Sequence, residues 1–162
     1  MTKTIEAQFS RIHLRRTTTI ALAVLVAFGL VAIPSAKAQS LSVLYSFTGS
    51  PDGQYPNAVP VMDTAGNLYG TTEYGGTSGY GTVFKLDASG NETVLHSFTG
   101  SPDGQDPYAA LIMDKAGNLY GATYRGGASG YGTVFKLDTS GNETVLHSFT
   151  NSADGGYPST QL

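Results

Sequence analysis

From Ala58 onward, short runs of β-branched, aromatic and aliphatic residues alternate with tight polar punctuation. Four runs, 58–62, 68–72, 82–86 and 93–98, are rich in valine, tyrosine, phenylalanine and threonine, which suit a pleated surface. The same runs return at 109–113, 119–123, 133–137 and 144–149. Between them lie Asp63-Thr64-Ala65-Gly66-Asn67 and Asp87-Ala88-Ser89-Gly90-Asn91. Aspartate accepts from backbone amides two residues on, and glycine or asparagine tolerates a positive φ, so both segments predict tight turns. No stretch after residue 38 carries a 3.6-residue apolar period or helix caps. The pattern therefore predicts an all-β protein of consecutive antiparallel strands. Val83-Phe84 and Val94-Leu95 place apolar residues side by side, which predicts strands covered on both faces, as in stacked sheets.

The pattern recurs every 51 residues. Residues 44–94 align with 95–145 without a gap, 39 of 51 positions being identical, and a third copy opens at Leu146. Four strands in a repeat of ~50 residues describe the blade of a β-propeller. Blades are expected at about 58–98 and 109–149, with an orphan fourth-type strand at 43–47 and a partial third repeat at 146–162. A two-layer sandwich is the competing architecture, but it does not explain near-identical tandem units. Closed propellers use ~4–8 blades. The two expected here form an incomplete ring with bare faces and unpaired edges. Either the chain is part of a longer repeat protein, or it self-associates through those edges and faces.

The first 38 residues differ in character. Arg11, Arg15 and Arg16 precede an uncharged 14-residue stretch from Ile20 to Ile33, shorter than the ~20 residues a membrane-spanning helix needs. Pro34 ends the apolar run, and Ala36-Lys37-Ala38 supplies small residues two apart. Together they predict a secretory signal peptide, a helix removed by cleavage after Ala38. An uncleaved membrane anchor is the alternative. Arg15-Arg16 raises twin-arginine export, which Thr17-Thr18-Thr19 fits poorly. Cleavage leaves four basic and eleven acidic residues in 39–162, a net charge of −7, and all ten tyrosines. Such a chain is expected outside the cell, at its surface or in the periplasm, with no membrane span after cleavage. It lacks the basic patch that a nucleic-acid partner requires. Without cysteine it can hold no disulfide, thiolate nucleophile or cysteine-ligated metal.

Three blocks recur in order: Asp63-Thr64-Ala65-Gly66-Asn67-Leu68-Tyr69-Gly70-Thr71, Gly79-Tyr80-Gly81-Thr82-Val83-Phe84-Lys85-Leu86-Asp87 and Leu95-His96-Ser97-Phe98-Thr99-Gly100. With their copies they resemble the GloVer tandem repeat of exported bacterial proteins, often described as choice-of-anchor repeat proteins. The resemblance covers roughly 43–162. It implies a secreted or surface propeller-like protein of unassigned activity, and it implies no catalytic residues.

In a four-stranded meander, successive turns fall at alternate ends of the sheet. The Asp63–Asn67 and Asp87–Asn91 turns share one end and hardly vary between copies. The longer links, 72–81 and 99–107, share the other. Of the 12 positions at which the copies differ, five gather there: Tyr55/Asp106, Asn57/Tyr108, Glu73/Tyr124, Tyr74/Arg125 and Thr77/Ala128. Variable loops on a rigid scaffold commonly carry binding residues. Glu73, Tyr74, Tyr108, Tyr124 and Arg125 are the ligand-binding candidates, since tyrosine rings stack on sugars or peptides while their hydroxyls bond to them. Neutral drift in exposed loops is the alternative account.

Other motifs have structural readings. Asp52-Gly53, its copies and the Asp63 and Asp114 turns could offer oxygens to calcium, but no dense D-x-D-x-D array exists and turn roles are expected. His96 and His147 have Tyr45 as their counterpart, which predicts packing, not metal ligation. Asn91-Glu92-Thr93 and Asn142-Glu143-Thr144 match a glycosylation pattern and are read as turns. Gly75-Gly76 and Gly126-Gly127 lack the context of a phosphate loop. Nearly every carboxylate, serine and histidine recurs one repeat on, so no unique acid–base or nucleophilic cluster forms. The expected function is a non-catalytic interaction or structural module without metal or cofactor, its partners glycans or other surface proteins. The alternatives are a carbohydrate-binding or accessory propeller of a polysaccharide-active protein, and a hydrolase whose active site lies in further blades.

Overall fold

Eight strands in two four-stranded antiparallel sheets make up the computed structural model, which describes residues 40–160. The predicted leader lies outside those residues. The first sheet runs β1 (Val61–Met62), β2 (Leu68–Thr72), β3 (Thr82–Leu86) and β4 (Glu92–Ser97). The second runs β5 (Ile112–Met113), β6 (Leu119–Thr123), β7 (Thr133–Leu137) and β8 (Glu143–Ser148). Strand order follows chain order in both, the meander expected of incomplete propeller-like blades. No helix occurs among the described residues.

The short turns form as their residue types dictate. Asp63 Oδ1 accepts from the backbone amides of Ala65 and Asn67, both at 2.9 Å. Its Oδ2 accepts from Asn67 Nδ2 at 2.7 Å and from the Tyr69 hydroxyl at 3.1 Å. Asp87, Asp114 and Asp138 repeat the backbone and asparagine contacts. These carboxylates are spent within their own turns. The Asn118 side-chain amide is the chief cause that holds Asp114 down at about 2.

Three expected strands, 58–62, 109–113 and 43–47, are corrected. Of 58–62 only Val61 and Met62 pair, with Tyr69 and Leu68. In the second blade the residues ahead of β5 turn onto the first blade: Ala109 and Leu111 are buried, and the Thr71 hydroxyl donates to the Ala109 carbonyl at 3.5 Å. That stretch covers a neighbouring sheet instead of extending its own. Residues 43–47 form no ladder, because no described strand lies beside them. They do occupy the place over the first blade that β4 and its sequel occupy over the second. Phe47 meets Phe84 edge-on at 4.8 Å, and Phe98 meets Phe135 in the same way at 5.1 Å.

The core lies along the seam between blades. Val83, Phe98, Leu111, Leu119, Phe135 and Leu137 form one buried cluster, with Leu95, Val61, Tyr69 and Met113 packed against it. The two adjacent apolar pairs have different causes. On β3, Val83 and Phe84 are both buried, so both faces are covered. On β4 the register slips: Val83 faces His96 and Phe84 faces Val94, leaving Leu95 as the extra residue of a bulge. A bulge re-aims the side chain it inserts, and Leu95 packs on the seam cluster. Gly121, mid-strand in β6, is required by close approach. A Cβ there would lie 2.7 Å from Phe135 Cζ and 2.8 Å from Leu111 Cδ2.

Two predictions arise from the seam. Gly121→Ala is expected to lower stability by about 1–3 kcal/mol through overpacking, and Phe98→Ala by about 3–5 kcal/mol. Denaturant melts of the variants check both, and an unchanged midpoint for either would remove that ring from the core. Glu143 carries a pH dependence. Its Oε1 is enclosed without a hydrogen-bond partner, as is Oε1 of its repeat counterpart Glu92. Burial first, and the nearby Asp103 charge second, push Glu143 up from 4.5 to about 7. The folded state thus favours the protonated acid. This stabilisation is complete below pH 4.5 and is lost as pH rises through 7. Glu143→Gln should flatten the fall in melting temperature over that interval, whereas an equally steep fall in the variant would contradict the assignment.

Candidate functional site

At the end of the blades opposite the aspartate turns, backbone bridges tie the long links together. Gln54 N–H donates to the Tyr74 carbonyl at 2.8 Å, and Tyr74 N–H returns the bond at 3.1 Å. Gln105 and Arg125 repeat the exchange at 2.9 and 3.1 Å. The next residue is pulled two ways. Asp106 N–H donates back to Tyr80 of the first blade at 3.0 Å, while its carbonyl accepts from Tyr124 N–H of the second at 2.9 Å. The result is a left-handed backbone at Asp106 (φ 54°), shared by its counterparts Tyr55 (φ 57°) and Tyr157 (φ 56°). A non-glycine residue there is strained by about 1–3 kcal/mol. None of the three copies relieves it with glycine.

These constraints open a cleft of about 360 Å³ lined by Glu73, Tyr74, Asp106, Tyr108, Tyr124, Arg125 and Ser159. All five candidates from the sequence line it, although they come from two blades. The volume falls within the ~300–1,000 Å³ of small-molecule sites. Asp106 and Ser159 are additions. Asp106 had been legible as a variable position, whereas Ser159 enters through the third copy. Thr77 and Ala128, also variable, sit apart: their amides donate to Ser97 Oγ and Ser148 Oγ at 2.8 and 2.9 Å. Arg125 Nη1 lies 3.4 Å from Oδ2 of the buried Asp106, and its guanidinium covers the Tyr124 ring at 5.3 Å. With the Arg125 side chain still 54% exposed, donors remain free for a ligand. The neighbouring Glu73 carboxylate, by hydrogen bonding above all, pushes the Tyr74 phenol up. The cleft thus presents ring faces, hydroxyls, carboxylates and one guanidinium, the equipment for stacking and hydrogen bonding. Among the described residues no group of three or more His, Asp or Glu side chains gathers to hold a metal ion.

The chain matches the Gloeobacter/Verrucomicrobia repeat over residues 27–162. It belongs to that family. No curated protein matches it.

In this Gloeobacter/Verrucomicrobia repeat protein the histidines do more than pack. His96 Nε2 lies 3.1 Å from Asp103 Oδ2 while the ring meets Phe98 edge-on at 4.7 Å. Tyr45 donates to Asp52 at 2.8 Å in the same place. A ring with a polar tip is what the position demands, which is why tyrosine and histidine interchange.

The variable residues of the long links meet in pairs. Tyr55 meets Tyr74 edge-on at 6.0 Å, and one repeat on the same two positions hold the ion pair of Asp106 and Arg125. Asn57 Nδ2 donates to Glu73 Oε2 at 2.8 Å, and one repeat on these become Tyr108 and Tyr124, their rings 6.5 Å apart. Each blade keeps one aromatic and one polar pair, in opposite order. The double variant Asp106→Tyr/Arg125→Tyr, which rebuilds the first-blade pair, should therefore lose less stability than its two single variants summed, by about 1 kcal/mol. Additive losses in the double-mutant cycle would show that the positions are uncoupled.

Proposed function

We propose that this chain is an exported, non-catalytic interaction module that holds its partner in the cleft between the long links. The carrying observation is convergence: five residues chosen because the repeats differ there, in the long links, and because their chemistry suits a ligand line one concavity. Repeated residues elsewhere are engaged in turns and seams, which leaves the differences between blades to provide selectivity. The Arg-rich start and A-x-A end of the first 38 residues support export to the cell surface or beyond. The proposal also places the two blades in a larger array. Val59 and Leu146 stay 79% and 53% exposed on the blades, apolar surface of the kind one blade covers on the other.

Carbohydrate binding is the second reading. It is favoured by a lining that includes three tyrosines and no aliphatic side chain. Arrays of glycans and of bacterial surface proteins test the proposal directly. Tyr124→Ala is expected to weaken whatever binding is found by about tenfold or more, with the circular dichroism unchanged. Binding indifferent to this substitution would remove the cleft from consideration.

A further inference from the structure

The aromatic lining of the cleft continues past Tyr124. The Tyr108 and Tyr124 ring centroids are 6.5 Å apart, those of Tyr124 and Tyr157 5.2 Å, and those of Tyr157 and Tyr131 5.4 Å. Tyr108 and Tyr157 are exposed enough to be covered by a ligand, each by roughly two-fifths (42% and 40%). Repetition accounts for only part of the row. One repeat earlier, the positions of Tyr108, Tyr124 and Tyr157 are held by Asn57, Glu73 and Asp106, and only Tyr131 has a tyrosine, Tyr80, as its counterpart. Two polar residues, Asn57 and Glu73, have thus become Tyr108 and Tyr124, while Tyr157 restores the tyrosine that its position holds two repeats earlier as Tyr55. Tyr157 also keeps its bulk on a left-handed backbone at φ 56°, where glycine would be free of strain.

We propose that this row is a track for an extended, uncharged polysaccharide chain, its sugar rings stacking on successive tyrosines and its hydroxyls bonding to Glu73 and Arg125. The inference rests on the carbohydrate reading of the cleft. A flat phenol offers an apolar face and a polar rim, which matches the apolar face and hydroxyl rim of a pyranose. The rings follow one another at interplanar angles of 52°, 42° and 81°, a winding succession that suits a chain, where a single sugar would need an enclosing wall. Charge selects against acidic polymers. Glu73 and Asp106 outnumber Arg125 in the cleft, and residues 39–162 carry a net −7. An anchor for an apolar peptide would need aliphatic walls, and the cleft lining has none.

Affinity electrophoresis of the full-length chain through gels containing dextran, xylan, mixed-linkage β-glucan or polygalacturonate is the first step. Retardation by at least one uncharged polymer, and not by polygalacturonate, is expected. Calorimetry with the two-unit and six-unit oligosaccharides of the most retarding polymer follows, with about tenfold tighter binding expected for the longer one. Tyr157→Ala should bring the two to within about twofold while leaving the two-unit affinity in place. Tyr131→Ala should act the same way without altering the left-handed position. No retardation by any uncharged polymer, equal affinity at both lengths, or an undiminished length effect in both variants would each overturn the track. The cleft is judged separately by Tyr124→Ala. If two-unit binding survives that change, the cleft reading itself fails. If two-unit binding is lost while length has no effect in the unaltered chain, the cleft stands and only the track falls.

Discussion

A phenylalanine from one blade, laid edge-on against a phenylalanine of the next, is the contact on which the rest depends. Phe98, directly after β4, and Phe135, in β7 of the other sheet, are both fully buried. A lone four-stranded sheet with strands of two to six residues has little with which to offset its ordering entropy. It becomes stable by hiding its faces against a neighbour, as in other stacked-repeat architectures. The seam also dictates choices that look odd in isolation. Glycine stands mid-strand at Gly121 because the Phe135 ring crosses it, and the chain leaves the sheet at 109–111 because Leu111 fills the same space.

What was legible in the sequence and what was not divides along the same line. The aspartate turns and the three longer strands of each blade depend on residues within a few positions of one another, so residue type and spacing were enough to place them. The shortened first strand, the bulge at Leu95 and the unpaired run at 43–47 depend on surfaces contributed by a neighbouring repeat. Alternation alone could not distinguish a second covered face from a bulge, since both put two apolar residues in succession. The candidate site was legible because the repeat supplies an internal comparison: subtracting one copy from the next leaves 12 positions, and those in the long links include six of the seven residues that line the cleft. The partnership of Tyr55 with Tyr74, or of Asp106 with Arg125, was not, because those positions meet only after the links are bridged.

The two ends of each blade carry opposite demands. At one, Asp63, Asp87, Asp114 and Asp138 consume their acceptors internally, and any change there would leave turn amides unpaired. At the other, side chains pair with one another above bridges made entirely of backbone. Backbone bridges do not depend on side-chain identity, so the pairs above them can be exchanged as units without disturbing the seam. The left-handed residue at the junction serves both blades, since its amide bonds backward and its carbonyl forward.

This arrangement shows how a repetitive chain can make a unique site. Identical blades would present the same groups at every junction, and no junction would be selective. Here the cleft draws Glu73 and Tyr74 from the first repeat, Asp106, Tyr108, Tyr124 and Arg125 from the second, and Ser159 from the third. Each is a position at which its own repeat departs from at least one other. The combination at a junction is therefore distinct even though its parts are drawn from a small set of interchangeable pairs. Because those pairs are held by contacts within the loops, diversity at the cleft does not draw on the stability of the seam. The scaffold can remain nearly constant while each junction acquires a chemistry of its own.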